Sequence, residues 1–390
     1  MNMFRTSYGD QKDFDVTEYG AIPDGKTESS QAFLDAWNAS CAYNGSARFL
    51  IPQGTFYVYP VSFTGPCYNN SSPKVDIQGT LVAPLSLSHF PNDIISWIEF
   101  KLLNELIVGG GGVIDGKGAQ VWPCVPECAA GRLNRKMPIN LLFSTVSNTI
   151  ISDLTLTDSK GVHLKVQRSA NVTVHDINIS SPADSPNTDG IYTSRTHCLN
   201  LTNINIATGD DCIAIGQGST DIFVSKIVCG PGHGLSVGSL GGHDNEDDVN
   251  GLIVKNCTVL SADNGVRIKT WPGSEPGKAS NITFEDIIMH NVSNPILIDQ
   301  GYCPRQTHCP DQPSLIQLQG ITFKGIWGTT VDEVAVRLEC SEARPCQDVS
   351  LQDINLAYVG NEPKNITSSC SFVLGQALGM QSPDPCSPLL

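Results

Sequence analysis

The sequence predicts an all-β chain wound as a single right-handed parallel β-helix, a solenoid, and three observations carry that expectation. A motif of apolar-x-apolar, a two-residue break usually holding Asp, Asn or Gly, and apolar-x-apolar again recurs along the chain, as in NTIISDLTL from Asn148, NVTVHDINI from Asn171 and DVSLQDINL from Asp348. Counted on its second apolar half it steps by 23, 27, 23, 30, 30, 39 and 28 residues, the spacing of structural repeats. A second alternating strand follows: KGVHLKV at 160, DGIYTS at 189, DCIAIG at 211, HGLSVG at 233, NGVRIK at 264 and NPILID at 294. Alternation buries one face of each strand. A sandwich or barrel would also give many short strands, but not the same two-strand register over and over.

Taken in chain order, residues 1–13 read as a polar N-terminal extension without the apolar core of a signal peptide, and 14–390 as one β-helical domain. SSQAFLDAWNASC from Ser29 places Phe33, Trp37 and Cys41 at i, i+4 and i+8. That is an amphipathic helix, and within about 14–45 it would cover the open N-terminal end that every solenoid must close. The stretch from about 368 to 390, with Cys370, Cys386 and three prolines, reads as an irregular, disulfide-bonded tail.

Of the 14 cysteines, 303 and 309, 340 and 346, and 370 and 386 are close enough to pair locally. Cys124-x3-Cys128 could be half a zinc site, but no matching CxxC or His pair stands nearby. Disulfides in an oxidising compartment are the reading. Eleven N-x-S/T sequons, from Asn38 to Asn365, agree with a secreted glycoprotein. A net charge of −15 argues against a nucleic-acid partner, which needs a basic face, and no run of 18 apolar residues exists to span a membrane.

Aligning the second strand across coils locates the chemistry. With its first residue as position 0, Asp189, Asp211, His233 and Asn264 fall in one column, on rungs roughly 4.8 Å apart. Positions +2 and +4 are almost all apolar, so +3 and +5 point outward, and in the fourth coil these are Arg267 and Lys269. Asp210 sits one residue before the column. An Asp at a coil corner often only caps a turn, and Asn264 is placed in that structural class. Three carboxylates, a His and two cations on one patch are more than turn chemistry needs. Gathered carboxylates force at least one pKa upward, leaving an acid beside a base, which is what glycosidic hydrolysis requires. The cations suit a negatively charged substrate.

PNTDG at 186–190, GDDC at 209–212, GPGHGLSVGSLG at 230–241 and RIK at 267–269, in this order, resemble the plant polygalacturonases of glycoside hydrolase family 28. FDVTEYGAIPDGKTESSQAF, GGGGVIDGKGAQVW and NPILIDQGYC extend the likeness from Phe14 to Cys386. The resemblance implies hydrolysis of α-1,4-galacturonide bonds of pectate in the cell wall, by a secreted, monomeric scaffold in which Asp210 is the general acid, Asp189 and Asp211 hold the attacking water, and His233 keeps the acid protonated. It implies that Arg267 and Lys269 bind the galacturonate carboxylate, that Tyr302 and Asn187 line the substrate cleft, and that Cys212 pairs with Cys229. It implies inversion without metal or other cofactor, although neighbouring rungs bring carboxylates nearer the retaining separation.

Attack within the polymer is slightly favoured over attack at its end. A β-helical pectate lyase would instead need a calcium site of several acidic groups and an Arg base, which three Asp around a His fit less well. An inactive pectin-binding protein would not need the full set of acid, bases and cations.

Overall fold

A computed structural model describes residues 11–91, 95–124, 137–304, 309–360 and 365–386. Its strands fall into two sheets, of 17 and 11 strands, and every strand pairing between them is parallel. The chain winds from one sheet to the other and back, giving the expected β-helix. We call the 17-stranded sheet the back sheet and the 11-stranded one the floor sheet.

The repeated motif is one bent strand of the back sheet. Its apolar halves stack in columns through the interior, one of them Ile177, Ile204, Ile227, Cys257, Ile287, Ile326 and Ile354, all at most 1% exposed. Phe284 lies flat on Phe323, centroids 5.4 Å apart. The two-residue break between the halves is a backbone requirement. Asp153, Asp176, Asn203, Asn256, Asp286 and Asp353 occupy it with φ between 52° and 56°. Asn and Asp tolerate this left-handed region better than other non-glycine residues, which is why the break recurs in the sequence with that composition.

Helix α1, Ser30–Cys41, lies where the sequence places it. Phe33 and Trp37 are buried against Phe49, Phe56 and Phe63, and Trp37 Nε1 donates to Thr64 O at 3.2 Å. Each such ring stabilises the fold by about 1.5–3 kcal/mol. Cys41 is bonded to Cys67, a pairing that spacing did not suggest. Disulfides also join Cys212 to Cys229, Cys303 to Cys309, Cys340 to Cys346 and Cys370 to Cys386, while Cys198 and Cys257 are free. Of the Cys124-x3-Cys128 segment, residues 125–128 lie outside the described residues.

Two expectations about the ends need correction. The segment 14–45 is not only a cap: Lys12–Asp15 and Asp24–Glu28 are strands of the back sheet. The segment from 368 is not irregular, because Thr367–Ser371 and Val373–Ser382 add one more rung. Only Val373 of that last strand is buried, so the rung is held by backbone pairing and leaves no alternation in the sequence.

Candidate active site

The floor sheet confirms the register drawn from the sequence. Ile191 pairs with Ile213, Ile213 with Leu235 and Leu235 with Val266, which puts Asp189, Asp211, His233 and Asn264 in one column two residues earlier. Strict alternation would turn Asp211 inward with Ile213. It does not, because the strand begins only at Ile213, and the corner before it turns Cys212 into the core and Asp211 toward Ser236 and Arg267 on the other side of the sheet. The corner is stacked by His233 N–H donating to Asp210 O and Cys212 N–H donating to Gly234 O, at 2.8 and 2.9 Å. Gly234 has φ +85°, and a Cβ there would meet Asn264 O at 2.1 Å. The Cys212–Cys229 disulfide pins the same corner from inside. Asn264 Nδ2 donates to His233 O at 3.3 Å, the structural part assigned to it.

Asp211 is 1% exposed and both its oxygens are engaged. Its Oδ1 accepts from Ser236 Oγ at 2.8 Å and from Arg267 Nη2 at 2.7 Å, and its Oδ2 from Lys269 Nζ at 2.5 Å. Arg267 and Lys269 therefore differ from the open, solvated cations that their outward positions suggest. They are 8% and 5% exposed, and the half-buried ring of Tyr302 covers both, 5.8 Å from the guanidinium and 5.1 Å from the ammonium. Trp271 packs edge-on against Tyr302.

Asp210 is half-buried and hydrogen-bonded to His233 Nδ1 at 2.9 Å, and its Oδ1 also accepts from Asp211 N–H at 2.8 Å. Burial pushes the Asp210 carboxyl up, but the bond and charge of His233, with Lys269, outweigh it and hold it below the usual value. The bond to Asp210 holds the His233 imidazolium above its usual value against the effect of burial. Both shifts favour one state, the His233 imidazolium facing the Asp210 carboxylate, so His233 lowers the acid where the resemblance implies that it keeps it protonated. Asp189, half-buried on the next rung, has no cation at bonding distance among the described residues; burial, then Asp210, then Asp211 push its carboxyl well up. Asn187 is exposed with φ 53°, on the turn that leads into Asp189.

Alignment of the coils missed three participants. Asp263 Oδ2 lies 3.4 Å from His233 Nε2, so the ring is held between two carboxylates. Its signal was the column of Asp210, one residue before position 0. Ser236 shares position +3 with Arg267 and ties it to Asp211, its Oγ accepting from Arg267 Nε at 3.2 Å. His163 lies beneath Asp189, its Nδ1 facing the carbonyl oxygens of Thr188 and Asp189 at 3.2 and 3.3 Å and its Nε2 facing Ser181 Oγ at 2.9 Å. Two carbonyls require the proton on Nδ1. Burial lowers this imidazole to about 4, so it stays neutral in mild acid.

His163 is placed to position Asp189 through the backbone carbonyls of Thr188 and Asp189. His163→Phe should lower kcat by roughly tenfold or more, in line with small misplacements of reacting groups, with KM and the pH profile of the remaining activity shifted as Asp189 relaxes. An unchanged kcat and pH profile would assign it to packing alone.

Atoms of Asp210, Asp211 and His233 lie within 4.8 Å of one another, as do those of exposed His197, Cys198 and Asp221 on the back sheet. At the first cluster both oxygens of Asp211 already face cations, so a metal there would have to displace Arg267 or Lys269. The arrangement is suited to proton transfer beside an anionic substrate.

A family model described as glycosyl hydrolases family 28 matches residues 41–377. A polygalacturonase of Nicotiana tabacum is 40% identical over 387 residues, 99% of this chain and 95% of that one. An exopolygalacturonase of Oenothera organensis is 43% identical over 360 residues, 92% and 98% of the two chains. Among solved structures, an exopolygalacturonase of Thermotoga maritima shares the fold with a TM-score of 0.80 at 19% identity, covering 94% of this chain and 90% of that chain.

Proposed function

The chain belongs to glycosyl hydrolases family 28, and from that premise we propose that Asp210 and His233 deliver the proton, and Asp189 and Asp211 the water, that hydrolyse α-1,4-galacturonide bonds of pectate. The protein is a glycoside hydrolase acting on pectin. The observation that carries the residue roles is the division of partners in the site: Asp210 bonded to the His233 imidazole at 2.9 Å, and Asp211 paired with the two buried cations Arg267 and Lys269.

In this reading the leaving oxygen meets Asp210, and the proton it takes is the one held on the His233 imidazolium, relayed through the Asp210 carboxylate as the bond breaks. Water held by Asp189 and Asp211 attacks the anomeric carbon from the other side, inverting it, and its proton passes to a carboxylate. Arg267 and Lys269 keep part of their charge for the galacturonate carboxylate, while Tyr302 and Asn187 border the cleft. The disulfides fit an oxidising compartment, and secretion to the cell wall is the proposed location.

Attack within the polymer is supported by floor strands on both sides of the acid cluster, from Val61–Thr64 to Thr367–Ser371. Attack at the chain end is the second reading, favoured by the 43% identity to an exopolygalacturonase. Product analysis on polygalacturonate in the presence of a chelator tests both. Reducing oligomers early in the reaction support interior attack, monomer alone supports end attack, and an unsaturated product would overturn hydrolysis.

A further inference from the structure

The long strands of the back sheet open on a corner at which one residue is left-handed. In register along the coils that position holds Asn148, Asn171, Asp221, Asn281 and Asp348, with glycine at 251 and 320, and φ there lies between 49° and 74°. Cys198 is the exception, at φ 54°. Asn and Asp tolerate this region and glycine enters it without strain, whereas a cysteine does neither. The amides of the column also bond along it, Asn171 Nδ2 donating to Asn148 Oδ1 at 2.7 Å. One rung further, Cys198 cannot extend that ladder. Neither the turn nor the ladder accounts for a cysteine here.

Its surroundings are those of a ligand. Cys198 Sγ lies 3.1 Å from His197 Nε2. On the other side of the ring, His197 Nδ1 faces Thr220 Oγ1 at 2.9 Å and Asp221 Oδ2 at 3.2 Å, both from the next rung. One ligand atom from each of His197, Cys198 and Asp221 lies within 4.8 Å of the other two, and all three residues are exposed. A tetrahedral zinc ion with bonds of about 2.0–2.3 Å holds its ligand atoms roughly 3.3–3.7 Å apart, so rotation of exposed side chains closes the set without moving the backbone. The other free cysteine among the described residues, Cys257, is 1% exposed inside the coil, and burial pushes its thiol up to about 12.

We propose that His197, Cys198 and Asp221 form a binding site for Zn²⁺, with water in the fourth position, that clasps two neighbouring coils at their corner. A thiolate with an imidazole selects zinc over calcium and magnesium, which take oxygen ligands, and thiolate and carboxylate together balance the two charges of the ion. As the sulfur–zinc bond forms, the thiol proton passes to solvent. Thr220 is placed to hold the Nδ1 side of the ring while Nε2 meets the metal, the kind of outer contact that orients a ligating histidine. The floor strand Ile191–Ser194 separates this corner from Asp189, so the ion takes no part in hydrolysis. The site acts on stability and shields an otherwise open thiol.

The test uses the full chain, stripped with a chelator and returned to Zn²⁺ at neutral pH. The parent should retain one ion per chain, and Co²⁺ in its place should show the near-ultraviolet absorption of a thiolate bound to cobalt. Zn²⁺ at about ten times its Kd should slow alkylation of Cys198, read on its own peptide by mass spectrometry, by about tenfold, the share of sites left empty, and should raise the melting temperature. Cys198→Asn is the decisive variant, because asparagine suits the left-handed corner and can join the ladder, so the fold is kept while the ligand is lost. It and His197→Gln should lose the ion, the cobalt absorption and the response of the melt to zinc. Activity on polygalacturonate should stay within about twofold of the parent in Cys198→Asn, and the chelator should leave it unchanged. Zinc uptake that persists in Cys198→Asn, or cobalt bound without the thiolate absorption, would place the metal elsewhere and overturn the proposal. A parent that retains no zinc, or whose Cys198 is joined to another thiol, would overturn it equally.

Discussion

Asp210→Asn is expected to lower kcat on polygalacturonate by about 10²- to 10⁴-fold, the range for loss of a positioned general acid, with KM close to that of the parent. Asparagine keeps the size of the side chain and can still meet His233, but it holds no proton that it can give to the leaving oxygen. Because acid and imidazole share that proton, the pH profile should report the pair. His233 is held above its usual 6.5 and Asp210 below its usual 3.8. Activity should therefore persist in mild acid and fall as the pH climbs past the imidazole range, where the pair loses its proton. The same shifts set a stability window. The raised His233 stabilises the fold below 6.5 and gives this up as pH rises through its folded value; the lowered Asp210 stabilises above 3.8 and gives this up as pH falls through its own. Their pairing thus contributes most between those limits. A kcat that climbs steadily from about pH 5 to pH 8, or equal activity in Asp210→Asn, would remove the acid from this position.

The sequence made the register of the floor sheet legible because alternation in GIYTS, CIAIG, GLSVG and GVRIK fixes which residues face the core, and parallel stacking then aligns whatever precedes them. It made the corners legible because left-handed backbone conformations select Asn, Asp and Gly. It did not reveal that Arg267 and Lys269 are buried, since outward position along a strand says nothing about what lies across it. Tyr302, on the turn after Asn294–Asp299, covers them from another coil. Nor could it divide the protons. Only the family resemblance gave the two adjacent carboxylates different roles; one faces an imidazole and the other two cations, a difference set by side chains 23 to 58 residues away. His163 was hidden for a different reason: in GVHLKV it takes a position one residue off the column, and only the fold brings its ring under the next coil's Asp189.

Asp211→Asn and Asp189→Asn should separate stability from catalysis. Both are expected to abolish most hydrolysis, since both hold the water in the proposed mechanism, but they should move the melting temperature in opposite directions. Removing the Asp211 charge leaves Arg267 and Lys269 buried with no counter-ion. Losing one partner of a buried pair costs about 3–5 kcal/mol, and Asp211→Asn should melt well below the parent at neutral pH. Adding Lys269→Met to Asp211→Asn removes one of the stranded cations and should recover part of the loss without recovering activity. Asp189 is in the reverse position. Burial and the neighbouring carboxylates raise its carboxyl, so its ionised form is disfavoured in the folded state, and the fold loses stability as pH rises from 3.8 through the folded value. A neutral asparagine lifts that penalty, and Asp189→Asn should melt at or above the parent at neutral pH, with the gain vanishing in acid, where Asp189 is protonated anyway. Thermal melts at two pH values beside kcat for the three variants decide the matter. An Asp211→Asn protein as stable as the parent would mean that the two cations find water or another carboxylate, and that the site does not depend on Asp211 to hold them.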